Sequence, residues 1–322
     1  MTSLKPTLLA AAALALAPLP GQAQAFPDKA ITFVVPFAAG TATDQIARAL
    51  GNGITAETKQ PVVIDNKAGA SGFIASQQVA KAPADGYTVL ITTNTTHAAN
   101  EHLFKKLPYD PVKDYAPIAA LGKGGQIMVV NPSFPAGSVA EFIALAKKEP
   151  GKYSFGSGSS SSRMAGELLQ QMAGIRLLHV PYKSNTLAVT DLLGGQIHMM
   201  ITDTATGLPQ VKAGKLRALG VSGAQRSPLA PDVPTIAEAG VKGYEMGYWF
   251  AAYAPAKTPP AVVRRLNELL VKAAKSEAAK AAFYEPTGTE VFTSSPEELA
   301  KFQAAESQKW GRIVKAAGIE AE

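Results

Sequence analysis

The hydrophobic pattern of the chain changes period soon after residue 30. Ile31 to Val35 is a continuous apolar run, rich in β-branched residues and bounded by Pro36. Such a run is typical of a strand buried on both faces of a parallel sheet. From Asp44 to Ile54, apolar residues recur on one helical face. The pattern predicts a strand, a short turn and a helix, with Thr43 or Asp44 as the helix cap.

The turn between this strand and helix, Phe37 to Thr43, consists mostly of small residues. The first N–H groups of a helix have no partner within the helix, and the helix dipole favours negative charge there. Because small residues let a ligand approach these groups, the turn predicts an anion site. An ordinary βα turn with an ordinary cap is equally consistent with this stretch alone.

The buried-strand pattern returns at Pro61 to Asp65 and at Tyr87 to Thr92, with a predicted helix from Phe73 to Lys81 between them. This alternation predicts right-handed parallel crossovers and an α/β sheet. Ligands of such sheets bind beyond the carboxyl ends of the strands. Thr93 and Asn94 follow the third strand and form a second candidate wall, with a plain polar loop as the alternative.

A second strand, turn and helix follow later in the chain. The short strand Tyr153 to Gly156 leads into the serine-rich turn Ser157 to Ser162, before a helix predicted to begin near Arg163. Hydroxyl and backbone N–H groups of such a turn can donate to a carboxylate or phosphate. A flexible linker is the alternative, and the position between a strand and a helix argues against it.

The remaining pattern predicts a two-lobed α/β protein. Prolines between Leu107 and Ile118 indicate a rigid connection, and Pro259 to Ala282 and Pro296 to Ala317 indicate long amphipathic helices packed on the sheets. We expect one lobe from residues 26–123 plus 246–322 and the other from residues 124–245. A cleft between two such lobes is a preferred small-ligand site and can close by hinging.

The first 25 residues have the features of a secretory signal peptide. An apolar run begins at Leu8 and ends in Ala23-Gln24-Ala25, a small-x-small cleavage site. We expect cleavage after Ala25 and a periplasmic mature chain. The sequence contains no cysteine, which excludes disulfides and thiolate chemistry.

Charge and motifs exclude several function classes. The net charge of +6 comes from scattered basic residues without interleaved aromatic residues, so no nucleic-acid partner is expected. Motifs of nucleophilic hydrolases, zinc proteases and P-loop proteins are absent. A dinucleotide fingerprint would need a third glycine after Gly158 and an acidic residue about 20 positions on, and the four histidines lack metal-ligand spacing. No cofactor or metal is therefore expected.

Many segments, in order, resemble the Bug family, the periplasmic solute-binding receptors of tripartite tricarboxylate transporters. The resemblance covers essentially the whole chain after residue 25. It is carried by FPDK with ITFVVPFAAGTATDQIAR, PVVIDNKAGASG, KAPADGYTVLITTNTTHAANEHLFKKLPYDPVKDYAPIAAL, GSGSSSS, VPYKSNTLAVTDLLGGQI, AGKLRALGVSGAQRSPLAPDVPTIAEAG and WFAAYAPAKTPPAVVRRLN.

This resemblance implies a type II periplasmic-binding-protein-like fold that closes on a small organic carboxylate held by the backbone N–H groups of two turns. It also implies large and small membrane subunits as partners, and a monomeric receptor without enzymatic activity. The implied site residues are Phe37, Ala39, Gly40, Thr41 and Thr43 in the first turn, Ser157, Gly158, Ser159, Ser160 and Ser161 in the second, and Thr93, Asn94, Tyr182, Asp203 and Trp249 elsewhere in the cleft.

One departure from the family pattern affects the ligand. The family usually has paired glycines in the first turn, whereas here Thr41 follows Gly40. The ligand class is therefore less transferable than the fold, and Asp203 is expected to contact the distal end of the ligand or a water. A secreted α/β hydrolase and a ligand-sensing or interaction protein of the same fold are the alternatives.

Overall fold

The computed structural model describes residues 26–316 and 318–321, so the predicted signal peptide lies outside the described residues. The strands are Ile31–Val35 (β1), Val62–Asn66 (β2), Thr88–Thr93 (β3), Tyr115–Val130 (β4), Ser154–Ser157 (β5), Leu178–Pro181 (β6), Met199–Asp203 (β7), Arg217–Val221 (β8) and Gly247–Pro255 (β9).

The α-helices are Ala42–Thr58 (α1), Phe73–Ala80 (α2), Asn100–Leu103 (α3), Val139–Lys148 (α4), Ser160–Ala173 (α5), Asn185–Leu193 (α6), Thr204–Lys212 (α7), Pro260–Ala274 (α8), Glu277–Ala279 (α9), Glu285–Thr287 (α10) and Pro296–Ala316 (α11). Wider π-type turns cover Thr95–Ala99 and Lys280–Tyr284. None of the helices in the described part of the chain is long and apolar enough to cross a membrane.

The sheet has two halves that share strand β4. In the first half, β2, β1 and β3 are parallel neighbours and β9 runs antiparallel beside β3. In the second half, β6, β5 and β7 are parallel, and β4 lies antiparallel between β7 and β8. The predicted α/β class, with parallel strands in each half, is confirmed, and the antiparallel pairs are concentrated where the halves join.

Strand β4 crosses from one half of the sheet to the other. Its residues Tyr115 to Gly125 pair with β9. Gln126 to Val130 pair with β7, and Ile127 to Val130 also pair with β8. The crossing is rich in glycine because the backbone is closely approached there. A Cβ atom on Gly124 would lie 2.5 Å from the hydroxyl of Tyr248.

Several boundaries differ from the sequence predictions. Helix α5 begins at Ser160 rather than near Arg163, because Ser159 caps it by accepting from the Ser162 N–H. Tyr115 to Ile118 was expected to be a connection but belongs to β4, where Pro117 lies at a register shift, a position in a strand that tolerates a missing N–H. The helix predicted over Pro259 to Ala282 ends at Ala274. The cap of α1 is Thr41 rather than Thr43 or Asp44.

The apolar core surrounds the sheet on both sides. Ile46 and Leu50 of α1 pack with Leu266 and Leu270 of α8 on one face of the first half. A larger cluster on the other face runs from the first half into the second and includes fully buried Trp310 of α11. Helix α11 thus packs against the region where the two halves meet.

Candidate functional site

A narrow cavity lies between the two halves of the sheet, where the starts of four helices meet. We call it the inner cavity; its volume is about 30 Å³. Helices α1, α5, α6 and α7 each contribute residues from their first turn or cap. The lining residues are Phe37, Thr41, Ala42, Thr43, Thr93, Gln126, Gly158, Ser159, Ser161, Asn185, Asp203, Tyr248 and Phe250.

The first turn is held by the buried carboxylate of Asp44. This carboxylate accepts hydrogen bonds from the Gly40 N–H at 2.9 Å, from Arg48 at 3.0 and 2.9 Å, and from Asn66 at 3.0 Å. Asn66 also donates to the carbonyl of Phe37 at 3.0 Å. Burial alone would raise the pKa of Asp44, but the hydrogen bonds from Arg48, Gly40 and Asn66 outweigh it and hold that pKa below its ordinary value.

The first N–H groups of α1 remain available to a ligand. Thr41 is extended at the cap, and its hydroxyl donates to the carbonyl of Ala38 at 2.7 Å. Thr41 makes no side-chain cap hydrogen bond, and Ala42 and Thr43 line the inner cavity. The first N–H groups of a helix have no partner inside the helix.

The second turn is locked against the start of α6. The Gly158 N–H donates to Asn185 Oδ1 at 2.9 Å, and Asn185 Nδ2 donates to Asp203 at 3.1 Å. The contact is so close that a Cβ atom on Gly158 would lie 1.9 Å from the backbone carbon of Ser184. Ser159 caps α5 by accepting from the Ser162 N–H at 3.2 Å, which leaves the N–H groups of the first two helical residues free of a partner within the helix.

Ser160 joins the second turn to the first half of the sheet. Its hydroxyl donates to Asn100 Oδ1 at 2.7 Å, and both residues are buried. Asn100 in turn donates to the carbonyl of Ser71 at 2.9 Å and to the hydroxyl of Tyr109 at 3.2 Å. This chain of neutral hydrogen bonds connects the start of α5 to the segment after β3.

Asp203 has a structural role as the cap of α7. Its Oδ1 accepts from the backbone N–H and the hydroxyl of Thr206 at 2.8 and 2.7 Å. Its Oδ2 accepts from Asn185 at 3.1 Å and from Thr202 at 3.4 Å. Both carboxylate oxygens are therefore already engaged on the side of the cavity that Asp203 lines.

An outer cavity of about 390 Å³ continues from the inner one past Phe37, Gly158 and Ser159. Three predicted site residues, Ser157, Ser160 and Tyr182, line this outer cavity instead of the inner one, together with the basic residues Arg163, His179 and Lys183. Burial, followed by a hydrogen bond to Asp191, raises the pKa of Tyr182 to about 12.

Four predicted residues line neither cavity. Ala39 and Gly40 are exposed on the outer side of the first turn. Asn94 is fully buried and donates to the carbonyl of Gly247 at 3.3 Å. Trp249 points to the opposite face of β9, because side chains alternate along a strand, and its indole donates to Glu306 at 3.1 Å.

Sequence reasoning missed three polar residues that line the inner cavity: Gln126, Asn185 and Tyr248. Gln126 begins an apolar strand segment and Asn185 begins a helix, so neither stood out locally. Tyr248 bridges the halves, since its hydroxyl lies 3.2 Å from that of Thr204 and 3.0 Å from that of Thr289. Burial raises the pKa of Tyr248 to about 12.

The charges around the inner cavity are unusual for an anion site. Within the described part of the chain, its lining includes no Lys, Arg or His, so attraction for an anion would come from backbone N–H groups and helix dipoles. Residues 26–316 and 318–321 also contain no group of three or more His, Cys, Asp or Glu side chains placed to hold a metal ion.

A larger groove of about 600 Å³ lies on the far side of Gln126. We call it the rear groove. Its lining includes no residue of the turns after β1 and β5, and its charges have both signs, with Lys123, Arg226, Glu285 and Glu290. The inner cavity is the better site despite its smaller volume, because the helix starts converge there.

Comparison with known proteins decides the family. The sequence profile of the tripartite tricarboxylate transporter family receptors matches residues 46–319. Protein BugT of Bordetella pertussis is 34% identical over 302 residues, which cover 93% of this chain and 92% of BugT. The chain belongs to this receptor family.

Solved structures agree with the assignment. The R. palustris protein Rpa4515, determined with adipate, shares 36% identity with a TM-score of 0.89 over 92% of this chain and 100% of Rpa4515. The periplasmic binding protein BugD shares 32% identity with a TM-score of 0.88, over 92% of this chain and 100% of BugD. The two-lobed fold is confirmed. Receptors of this family are periplasmic solute-binding proteins and not enzymes, so the hydrolase alternative is rejected for this receptor.

Proposed function

We propose that this receptor captures a small organic carboxylate in the inner cavity and delivers it to the large and small membrane subunits of a tripartite tricarboxylate transporter. The observation that carries the proposal is the convergence of the α1 and α5 N-termini, from the two halves of the sheet, on one cavity. Each start offers backbone N–H groups to an anion. The adipate in the structure of Rpa4515 supports a carboxylate.

The ligand site lies between two lobes, residues 26–123 with 246–322 and residues 124–245. We infer that binding requires the lobes to part, because about 30 Å³ is room for only a few water molecules. A ligand that contacts both helix starts at once favours the closed arrangement over the open one. The mature receptor, released by cleavage after Ala25, acts as a periplasmic monomer.

The test removes one N–H group while preserving the helix. Ala42 is the first residue of α1, and Thr41 before it is extended at φ −73° and ψ 160°, as a residue preceding proline must be. Proline is well tolerated at this first helical position. Ala42→Pro therefore deletes a cavity-facing donor at little cost to the fold.

The measurement is calorimetric titration of the mature receptor with mono-, di- and tricarboxylates, after mass spectrometry of denatured protein for any acid already bound. We expect Ala42→Pro to weaken the best ligand about tenfold or more, as loss of a hydrogen bond to a charged group does. The matched control is Glu277→Pro, at the first position of α9 after extended Ser276, which should bind as the wild type does. Equal affinity in both variants would contradict the proposed site.

A further inference from the structure

Gln126 has a buried side-chain carbonyl oxygen without a hydrogen-bond partner among the described residues. The residue is 1% exposed, and its backbone is held by Ser222, which accepts from the Gln126 N–H at 2.6 Å and donates its own N–H to the Gln126 carbonyl at 2.8 Å. The Oε1 atom of the side chain, in contrast, has no hydrogen-bond partner among the described residues. Leaving a buried polar atom unpaired is costly, so this position needs an explanation.

The direction of the side chain follows from the register of β4 and β7. Gln126 lies directly opposite Asp203 in this antiparallel pair, and opposite residues place their side chains on the same face of a sheet. Gln126 lines both the inner cavity and the rear groove, whereas Asp203 lines the inner cavity only. The amide of Gln126 therefore belongs to the wall of the inner cavity that faces the two turns.

Neighbouring polar groups on this wall are already engaged. Asp203 accepts four hydrogen bonds, and Asn185 bridges Gly158 and Asp203. The hydroxyl of Tyr248 lies within hydrogen-bond distance of Thr204 and Thr289. Gln126 is thus the group on this wall whose hydrogen-bonding capacity is left for a ligand.

The charge of the wall restricts what the ligand presents to Gln126. A second carboxylate there would face the Asp203 carboxylate with no Lys, Arg or His in the described lining of the cavity, and like charges at short range repel. With the Gln126 amide oriented as in this structure, it would also leave Oε1 unpaired, because a carboxylate is only an acceptor. A hydroxyl or an ammonium group supplies the missing donor and meets no repulsion.

We infer that Gln126 determines specificity, and that the ligand is a carboxylate with a hydroxyl or ammonium group at the end opposite the bound carboxylate. The carboxylate binds the starts of α1 and α5, and the donor group binds Gln126 Oε1. This inference rests on the proposed function and adds the class of ligand to it.

The experiment compares acids of matched length that differ only at the far end. Butanoate, 4-hydroxybutanoate, 4-aminobutanoate and butanedioate present a methyl, hydroxyl, ammonium or carboxylate group, and the six-carbon series repeats the comparison for a longer reach. Each is titrated calorimetrically into the mature wild type and into Gln126→Met, which keeps the length of the side chain without its amide. Gln78→Met, at an exposed glutamine, is the matched control.

We expect the wild type and Gln78→Met to prefer a hydroxyl- or ammonium-ended acid over the methyl-ended one by about tenfold, the typical effect of one satisfied buried hydrogen bond. Gln126→Met should lose this preference while it keeps its affinity for the methyl-ended acid and its melting temperature within a few degrees.

Two results would overturn the inference alone: an unchanged preference in Gln126→Met, or a wild type that binds the dicarboxylate most tightly. A wild type free of bound acid that binds no carboxylate at all would instead contradict the proposed function, and the inference with it.

Discussion

The turn after β1 is held by residues of its own half of the sheet, whereas the turn after β5 depends on residues from both halves. In the first turn, the carboxylate of Asp44 gathers donors from Gly40, Arg48 and Asn66, all within the first 41 residues of the described chain. In the second turn, Ser160 reaches across to Asn100 through neutral groups.

This difference indicates that the two turns have separate tasks. The first turn is held by hydrogen bonds to the Asp44 carboxylate from residues of the same half, so it keeps its shape whether the lobes are open or closed. The hydrogen bond from Ser160 to Asn100 crosses between the halves, so it forms only when the lobes are closed. Ligand binding and this hydrogen bond therefore favour the same closed state. Under the proposed function, the first turn serves as a fixed docking point and the second couples ligand binding to closure.

The largest expected loss of ligand affinity comes from alanine at Gly158 of the second turn, and not from alanine at Gly40 of the first. A Cβ atom on Gly158 would lie 1.9 Å from the backbone carbon of Ser184, whereas one on Gly40 meets nothing within 4 Å. Gly158→Ala must displace the second turn, and we expect binding to fall by about 100-fold or more, since several kcal/mol are at stake when a backbone contact is broken. The measurement is calorimetric titration with the best ligand.

Gly40→Ala is the control for this pair. Gly40 has φ +81°, so alanine there costs about 1 kcal/mol of backbone strain and should lower the melting temperature slightly while affinity changes by less than about fivefold. If Gly158→Ala binds as well as Gly40→Ala, the second turn is not a rigid part of the site.

The next largest effect, on both stability and ligand affinity, is expected from removing the negative charge of Asp44, which holds the first turn. Asp44→Asn keeps the shape but presents an amide NH₂ to donors such as Arg48 and Asn66, and loss of these bonds typically costs 1–3 kcal/mol. We expect the free energy of unfolding to fall by about 2 kcal/mol and ligand affinity to fall about tenfold. Denaturant titration and calorimetry measure the two quantities, with exposed Asp232→Asn as the control.

The pH dependence of this variant has a definite sign. The pKa of Asp44 in the folded receptor lies below its ordinary value of 3.8, so its contribution is complete at neutral pH and is lost as the pH falls through the folded pKa. The stability difference between wild type and Asp44→Asn should stay constant from pH 7 to about 5 and shrink below about pH 4. A difference that already shrinks near pH 6 would assign the effect to another group.

The smallest effect concerns the hydrogen bond that crosses between the halves. Ser160→Ala leaves Asn100 Oδ1 without this donor, and we expect about a fivefold loss of affinity with a faster dissociation rate, the result of a less stable closed state. Ser133→Ala, at an exposed serine, is the control. A double-mutant cycle with Asn100→Ala isolates the pair, and additive effects on affinity would show that the two residues are not coupled.

The sequence predicts the elements that carry a strong period and misses features that depend on contacts between distant segments. The β1 strand and the α1 helix follow from a local change of period. The sequence predicts Thr43 or Asp44 as the cap of α1, whereas the cap is Thr41. Asp44 is typical of a capping residue, but it lies inside the helix and accepts a hydrogen bond from the Gly40 N–H. The prolines predict a connection at Tyr115 to Ile118, because proline usually ends a strand. Only the pairing with β9 shows that β4 includes this segment.

The candidate site was predictable to the same limited extent. Both turns follow from small residues between a strand and a helix. Gln126 does not, because it begins an apolar segment of β4, and only the pairing of that segment with β7 places its amide beside Asp203. Trp249 was expected in the cleft, but its neighbours Tyr248 and Phe250 line the inner cavity instead. Side chains alternate between the faces of a strand, and an uninterrupted apolar run does not reveal which set faces the cavity.

The position of Trp249 on the face of β9 opposite the inner cavity has a spectroscopic consequence. The chain has two tryptophans, Trp249 and Trp310, and both are buried away from the lining of the inner cavity. A ligand in that cavity therefore cannot quench either indole by contact. A change of tryptophan emission on adding an acid would therefore report a change in the surroundings of a buried indole, such as a shift of β9 relative to Glu306 on α11, and not contact with the ligand.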